Sequence, residues 1–356
     1  MPVTLTSLTD LDALGFDEVI DARTPLEHAE DALPGAVNLP VLDDAERALV
    51  GTIYRQVSPF TARKTGAALV ARNVAAHLQG PLADRPGEWR PLVYCWRGGQ
   101  RSGAFATILR GVGWRVETLD GGYKAWRRLV VQALYDRPVA APVILLDGNT
   151  GSAKTEVLNL LPGFGVQVLD LEGLAAHRGS LFGAVGPQPP QRRFEGALAM
   201  ALARLDPARP VVVEAESSKI GSCRLPPALW KAMVRAPRLV IEAPREARTG
   251  YLLRAYADIA ADPRRLMAVI EQLRPWQPAA RIAEWQAMVA AGDHVALAAG
   301  LIDRHYDPRY ARHRARVEVP LHRVEAPALD PGALPGLATR IAAMVREGGL
   351  RGDGRS

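Results

Sequence analysis

The chain has 356 residues, with 44 Lys or Arg against 38 Asp or Glu and a formal net charge of +6. This length is sufficient for two domains, each with its own core. Two cysteines in such a chain exclude a disulfide scaffold and favour a reducing cytoplasm. No apolar run approaches the roughly 20 residues that span a bilayer, and no secretory signal is expected at the N-terminus.

The first informative segment is a loop between a predicted strand at residues 91–94 and a predicted helix that starts near residue 102. The loop contains Cys95, Arg97, Gly98, Gly99, Arg101 and Ser102. Glycines allow backbone N–H groups to turn inward, and a helix N-terminus adds positive potential. Such surroundings lower the pKa of a thiol. The loop therefore predicts that Cys95 is a reactive thiolate beside a cradle for a tetrahedral or sulfur-bearing anion.

The segments around this loop favour a rhodanese-like enzyme, but the spacing between Cys95 and Arg101 is also compatible with a second class of enzyme. The order of residues 21–28, 33–40, 113–116 and 119–126 resembles the rhodanese domain over nearly its full length. That resemblance implies that Cys95 carries sulfur or selenium. Common single-domain rhodaneses have one residue fewer between the cysteine and the following Arg-Ser. The longer spacing is also that of cysteine-dependent phosphatases, in which Cys95 would attack a phosphoester and Arg101 would clamp the phosphoryl group.

The second informative segment follows the apolar run at residues 143–146, which is typical of a buried parallel strand. Residues 147–155 match the P-loop pattern G-x4-G-K-[ST], except that Ala153 stands where the second glycine belongs. Backbone N–H groups of such a loop cradle phosphates, and its hydroxyl residue can bind Mg²⁺. The predicted phosphate-binding residues are Gly148, Thr150, Gly151, Ser152, Lys154 and Thr155.

Further strands are predicted at residues 210–216 and 239–242, followed by a mostly helical region from about 244 to 346. Glu214 and Glu216 end the first of these strands, where an acidic residue in P-loop folds orients Mg²⁺ or water. The alternation of strands and helices predicts an α/β fold. It comprises a rhodanese-like parallel-sheet domain at 1–135, a linker at 136–142, and a P-loop NTPase-like domain with a helical C-terminal part at 143–346. The tail at 347–356 is predicted to be disordered.

Over its length the chain resembles the tRNA 2-selenouridine synthase family, in which a rhodanese domain is fused to a P-loop domain. The resemblance runs from about residue 15 to about residue 325. It is carried by residues 40–42, 46–54, 64–73, 94–103, 171–183, 214–221 and 305–310. The sequence departs from the family at Ala153, where glycine is usual, and at Ala215, which replaces an acid between Glu214 and Glu216.

The resemblance implies a transferase that converts wobble 2-thiouridine of tRNA to 2-selenouridine with selenophosphate. An S-geranyl-2-thiouridine intermediate would be made from geranyl diphosphate. Cys95 would hold selenium as a selanyl adduct, and Lys154 would stabilise the leaving diphosphate. A polar cluster of His177, Arg178 and Ser180 would complete the diphosphate clamp. No tightly bound cofactor and no zinc site is expected, whereas Mg²⁺ is left open.

A tRNA partner fits the charge of the chain, since the sequence pI of about 9.5 meets the usual criterion for nucleic-acid binding. Arginines between residues 304 and 323 would track phosphates, with Tyr306 and Tyr310 available for stacking. The predicted tRNA-binding residues are Arg304, Arg309, Arg312, Arg314 and Arg316. A non-catalytic RNA- or nucleotide-binding regulator is the remaining alternative, and the intact Cys95 loop argues against it. The expected location is the cytoplasm, without a membrane partner.

Overall fold

The structure is a computed structural model that describes residues 2–177, 187–215, 217–315 and 318–347, with His313 described in its backbone alone. The strands are β1 (Pro2–Val3), β2 (Glu18–Asp21), β3 (Val37–Asn38), β4 (Pro91–Tyr94), β5 (Glu117–Leu119), β6 (Val143–Gly148), β7 (Gln167–Leu169), β8 (Val211–Glu214), β9 (Lys219–Ile220), β10 (Cys223–Arg224), β11 (Arg238–Glu242) and β12 (Leu321–Glu325).

Seventeen α-helices lie in the same described ranges. They are α1 (Asp10–Ala13), α2 (Pro25–Glu30), α3 (Asp44–Gln56), α4 (Pro59–Gln79), α5 (Gln100–Val112), α6 (Gly122–Val131), α7 (Lys154–Leu160), α8 (Leu171–Leu174), α9 (Gln191–Ala203), α10 (Pro227–Arg235), α11 (Arg245–Ala255), α12 (Ala257–Ala260), α13 (Pro263–Glu271), α14 (Ala279–Ala290), α15 (His294–Leu301), α16 (Asp307–Arg314) and α17 (Leu334–Arg346). Short 3-10 turns lie at Leu161–Phe164 and Arg274–Trp276, and π-helical turns at Gln132–Asp136 and Ile302–Tyr306.

The described chain divides into two compact units, the first built from 1–138 with 189–204 and the second from 139–188 with 205 onward. The first unit holds a parallel sheet in the order β1-β5-β4-β2-β3. All residues of β4 are buried. Phe105 and Leu109 of α5 pack with Val93 of β4 in the same apolar cluster. This packing places the start of α5 directly after the loop that leaves the carboxyl end of β4.

The second unit holds a parallel sheet in the order β12-β11-β6-β8-β7. The central strand β6 is buried throughout, as its unbroken apolar run predicts. In register, Leu146 of β6 lies opposite Glu214 of β8, and Gly148 lies opposite Ile241 of β11. The loop after β6 and the acid at the end of β8 therefore meet at one edge of the sheet. The predicted α/β fold is confirmed.

The helical part of the second unit has a core of its own. Ile282, Trp285 and Val289 of α14 are buried in that cluster, as their helical spacing predicts. In α17, Leu337 and Ile341 are buried against the core beside the sheet. No helix within the described ranges is long and apolar enough to cross a membrane.

Two elements differ from the sequence-based expectation. Helix α9 lies in the range assigned to the second domain, yet it belongs to the first unit, where Glu195 accepts a hydrogen bond from the Tyr135 hydroxyl at 2.8 Å and pairs with Arg127. Strand β12 lies in a region predicted as helical. It pairs in parallel with β11, and only Val324 of its side chains is buried, so its apolar signal is weak.

Candidate functional site

Cys95 stands at the end of β4 and is only 3% exposed. The Ser102 hydroxyl donates to its sulfur at 3.2 Å. Burial raises the pKa of the Cys95 thiol, but hydrogen bonds from the Ser102 hydroxyl and from the N–H groups of Ser102 and Arg97 lower it, as does the charge of Arg101. The net result is a pKa below the usual value for cysteine. The arrangement therefore stabilises a thiolate at a helix N-terminus.

The tight path of this loop depends on glycines at two positions. Gly98 has φ +69°, and a Cβ there would collide with the carbonyl oxygen of Leu119. Gly122, with φ +55°, approaches the carbonyl oxygen of Cys95 so closely that a side chain would overlap it. Tyr123 N–H donates to that same oxygen at 2.8 Å. Gly99, by contrast, has open space around it and ends the loop as the residue before α5.

The arginines of the loop differ from the expectation that they surround the anion. Arg101 forms a bidentate ion pair with Glu27, with contacts of 2.6 and 3.2 Å. The Arg97 side chain is exposed, and this residue supports Cys95 through its backbone N–H. Glu27 was not identified from the sequence, although it lies in the rhodanese-like segment 21–28. Its position on α2, opposite the N-terminus of α5, arises only from the folded sheet.

The loop after β6 has the geometry of a phosphate cradle. A Cβ at Gly148 would collide with the Ser152 hydroxyl. Gly151 has φ +83°, and a Cβ there would lie 3.0 Å from the carbonyl oxygen of Arg248. The Ser152 hydroxyl is buried and has no hydrogen-bond partner among the described residues. Ala153 adopts φ +60°, a conformation that favours glycine. Its methyl group packs into the apolar core, so the alanine is accommodated without filling the cradle.

Lys154 and Thr155 begin the helix that follows this loop. Lys154 Nζ donates to the carbonyl oxygen of Gly148 at 3.0 Å. The Thr155 hydroxyl lies 3.0 and 3.2 Å from the two carboxylate oxygens of Glu214 and 3.2 Å from Glu172 Oε2. Both glutamates are buried, with exposures of 2% and 8%. Sequence reasoning missed Glu172, whose only signal was its place in the family-like segment 171–183.

These oxygens suit Mg²⁺, which is usually bound through one or two carboxylates together with substrate phosphates. The Thr155 hydroxyl and the buried carboxylates of Glu214 and Glu172 next to it provide oxygen ligands of this kind. Within the described ranges no group of three or more His, Cys, Asp or Glu side chains is arranged to hold a metal ion by itself. These residues therefore suit a Mg²⁺ ion that is also bound by oxygens of the substrate.

Arg314 was predicted to bind tRNA, but the structure places it beside the phosphate loop. Its Nη2 lies 3.5 Å from Asp147 Oδ1, and Arg238 Nη1 donates to Asp147 Oδ2 at 3.0 Å. Burial raises the pKa of Asp147, but the two arginines and the Gly148 N–H lower it below its usual value. Arg314 also lies over the Tyr310 ring, which Lys154 approaches. The buried carboxylate of Asp147 needs cationic partners, and Arg314 provides one of them.

The other predicted binding residues are distributed over several environments. Arg304 pairs with Glu284 at 3.2 Å, Arg309 lies over the Trp276 ring at 5.5 Å, and Arg312 is exposed. The backbone N–H of His177 donates to the Glu172 carbonyl at 3.0 Å, and its Nδ1 is buried without a partner in the described part of the chain. Arg178, Ser180, Glu216 and Arg316 lie outside the described residues.

Two family models match successive parts of the chain. Residues 5–129 match the family model of the rhodanese-like domain, and residues 141–277 match that of the tRNA 2-selenouridine synthase AAA domain. A tRNA 2-selenouridine synthase of Shewanella piezotolerans is 36% identical over 265 residues, covering 72% of this chain and 71% of the relative. One of Hahella chejuensis is 39% identical over 243 residues, covering 67% of this chain and 63% of the relative.

Among solved structures, TT1252 from Thermus thermophilus is similar with 20% identity and a TM-score of 0.30, covering 58% of this chain and 97% of that chain. Several of the curated relatives are matched over slightly less than two thirds of their own length, as the Hahella chejuensis protein is. The Shewanella piezotolerans protein is matched over more than that.

Proposed function

The chain belongs to the tRNA 2-selenouridine synthase family, and from that premise we propose that it is a transferase acting on 2-thiouridine at the wobble position of tRNA. Selenophosphate is the proposed selenium donor. S-geranyl-2-thiouridine, formed from geranyl diphosphate, is the proposed intermediate. The observation that carries the proposal is the pairing of a stabilised Cys95 thiolate with a phosphate cradle in one chain.

We assign geranylation to the second unit. The sulfur of 2-thiouridine attacks C1 of geranyl diphosphate, the C–O bond breaks, diphosphate leaves, and the N3 proton of the base is released. Negative charge grows on the leaving group, where Lys154, the loop N–H groups and the unpartnered Ser152 hydroxyl would stabilise it. Mg²⁺ held by Thr155, Glu214 and Glu172 would neutralise part of that charge.

We assign selenium handling to the first unit. In the net reaction, selenium from selenophosphate replaces the sulfur at C2 of the base, the C2–S bond breaks, and geranylthiol leaves with a proton. Water cleaves the P–Se bond and yields phosphate, so no external oxidant or reductant is consumed. The N–H groups around Cys95 suit the anionic donor, and Cys95 is the proposed catalytic residue.

The rival activity, a cysteine-dependent phosphatase, is less well supported. It needs Arg101 to clamp a phosphoryl group, whereas this guanidinium is bound on two nitrogens by Glu27. A regulator with an inactive first unit does not require a thiol whose pKa is lowered by positioned hydrogen bonds. The arrangement of the Cys95 loop therefore favours group transfer over both alternatives.

The tRNA partner is part of the same proposal. Arg309 and Arg312 are exposed, and the Trp276 ring beneath Arg309 is 56% exposed. An arginine next to an exposed indole suits a phosphate and a stacked base. The proposed action on tRNA implies a cytoplasmic protein.

The test is mass spectrometry of nucleosides from 2-thiouridine-bearing tRNA incubated with the purified chain. Geranyl diphosphate and selenophosphate are supplied together and each is omitted in turn. The proposal predicts S-geranyl-2-thiouridine with the first donor alone and 2-selenouridine with both. Unchanged 2-thiouridine with both donors, combined with hydrolysis of p-nitrophenyl phosphate, would favour the phosphatase.

A further inference from the structure

A mostly apolar pocket lies among the helices of the second unit. About 600 Å³ of space lies within its walls and its open mouth together. Its lining comes from α11, α12, α13 and α15 and includes Leu252, Ile259, Leu266 and Leu297. Three of these four side chains are buried, so the pocket wall is formed by packed core residues.

Thr150 is the lining residue that connects this pocket with the phosphate cradle. It belongs to the loop between β6 and α7 and also borders the apolar space. A molecule that lies across Thr150 would therefore place one end among loop N–H groups and the other among aliphatic side chains. That combination matches an amphiphile with an anionic head and a hydrocarbon tail.

Tyr306, which also lines the pocket, carries a polar atom that its protein neighbours leave unsatisfied. The hydroxyl of Tyr306 is buried and has no hydrogen-bond partner among the described residues. A buried hydroxyl without a partner is destabilising. Tyr256 and Tyr306 line the pocket together, and aromatic rings attract positive charge. Both features suit a ligand with a diphosphate and a cationic carbon at their junction.

We propose that this pocket receives the hydrocarbon chain of an allylic diphosphate whose phosphates lie on the loop at 148–155. The inference rests on the proposed function, because it assigns the chain of the same donor. It gives the hydrocarbon chain a location in the second unit. As a consequence, the pocket rather than the phosphate loop selects among diphosphates by the length of their hydrocarbon chain.

Two substitutions fill the pocket from different helices. Ala298→Phe adds a ring from α15, where Ala298 is buried, and Ala260→Phe adds one from α12, where Ala260 is half-buried. Val295→Phe is the matched control, since Val295 lies on α15 with 58% exposure and is not part of the pocket. Melting temperatures identify any variant that fails to fold, and the half-buried Ala260 site is the safer of the two.

The measurement is calorimetric binding of geranyl diphosphate, dimethylallyl diphosphate and inorganic pyrophosphate to the full chain. We expect the wild type to bind geranyl diphosphate at least tenfold more tightly than pyrophosphate. The filled variants should lose that preference while keeping the pyrophosphate affinity, and Val295→Phe should keep both. The inference is overturned if a folded filled variant retains the preference, or if the wild type has none.

Failure of the proposed function would look different. Suppose that the wild type prefers geranyl diphosphate and that filling the pocket removes the preference, but that no S-geranyl nucleoside forms. The pocket assignment would then stand and the proposed activity would be refuted. If the wild type forms the nucleoside but shows no chain-length preference in binding, the proposed activity would stand and the pocket assignment would be refuted.

Discussion

The guanidinium of Arg101 is bound on two nitrogens by the carboxylate of Glu27, with contacts of 2.6 and 3.2 Å. Glu27 also accepts from the Thr24 N–H at 3.1 Å as part of the capping box of α2. Its orientation is therefore fixed from two sides. Because the carboxylate opposes the charge of Arg101, it reduces the positive potential that the arginine exerts at Cys95.

Removal of this carboxylate should lower the pKa of Cys95 further. In Glu27→Gln the charge of Arg101 is no longer opposed, so it stabilises the thiolate more strongly. Arg101→Gln should raise the pKa instead. The measurement is the pH dependence of Cys95 alkylation by iodoacetamide, followed on the Cys95 peptide. Cys223 is buried and its pKa is raised by burial, so it contributes little thiolate.

Glu30→Gln is the matched control for this pair. Glu30 lies on the same helix and pairs with Arg192 at the surface, so its loss should leave the Cys95 pKa unchanged. An identical Cys95 pKa in the wild type, Glu27→Gln and Arg101→Gln would show that the ion pair does not act on the thiolate.

The Ser102 hydroxyl should control the pH range in which the thiolate persists. Its removal in Ser102→Ala deletes the donor 3.2 Å from the sulfur, and loss of a hydrogen bond to the thiolate should raise the pKa of Cys95. Since the folded pKa is lowered, thiolate is lost as the pH falls through that pKa. Selenium transfer should therefore decline on the acid side, and the decline should begin at higher pH in the variant.

Thr107→Ala is the corresponding control, because Thr107 lies on α5 and its hydroxyl donates to the Gly103 carbonyl oxygen instead. An acid limb in the same position for Ser102→Ala and for Thr107→Ala would contradict the role assigned to Ser102. The readout is the pH profile of 2-selenouridine formation on pre-geranylated tRNA.

The sequence predicted the parts of this molecule that depend on local pattern. The buried runs at 91–94 and 143–146 are strands, and the loops that follow them lie at the carboxyl edges of parallel sheets. Glycine is required at position 98 by the nearby carbonyl oxygen of Leu119 and at position 148 by the nearby Ser152 side chain. These features depend on residues near in sequence, which is why pattern was sufficient.

Partnerships between distant residues were not predictable in the same way. The pairs Glu27–Arg101 and Asp147–Arg314 join residues that no motif connects. Helix α9 lies in sequence between segments of the second unit, and long-range contacts such as those of Glu195 with Tyr135 and Arg127 place it in the first. Strand β12 has a single buried side chain, so it lacks the apolar signal of a central strand.

Two alanines in left-handed backbone provide a test of strain. Ala153 has φ +60° and Ala176 has φ +48°, a conformation that costs roughly 1–2 kcal/mol for residues other than glycine. Ala176→Gly should raise the free energy of unfolding by about 1 kcal/mol. Ala153→Gly should gain less, because its methyl group is 2% exposed in the core and burial of such a group contributes about 0.8 kcal/mol.

Urea denaturation of the two glycine variants decides this point. A larger stabilisation by Ala153→Gly than by Ala176→Gly would show that the Ala153 methyl group is strained rather than packed. Ala153→Val should lower the free energy of unfolding by about 2 kcal/mol or more, since a branched side chain is a genuine outlier at positive φ.

Glu214 should set the Mg²⁺ requirement of geranylation. Its carboxylate lies 3.0 Å from the Thr155 hydroxyl, and Glu214→Gln removes a charged oxygen ligand. We expect the Mg²⁺ concentration for half-maximal geranylation to rise at least tenfold. Glu156→Gln, which alters a neighbouring acid in the first turn of α7, should leave it unchanged. Equal Mg²⁺ dependence in both variants would remove Glu214 from the site.

The paired variants Cys95→Ser and Lys154→Met test whether two separate sites on this chain perform two successive steps. Nucleoside mass spectrometry would follow geranylation of 2-thiouridine tRNA and selenation of pre-geranylated tRNA, with Lys231→Met on α10 as a surface control. We expect Cys95→Ser to geranylate normally and to lose selenation. Lys154→Met should lose geranylation at least a hundredfold and still selenate the pre-geranylated substrate. Loss of both steps to the same extent in each folded variant would contradict this expectation.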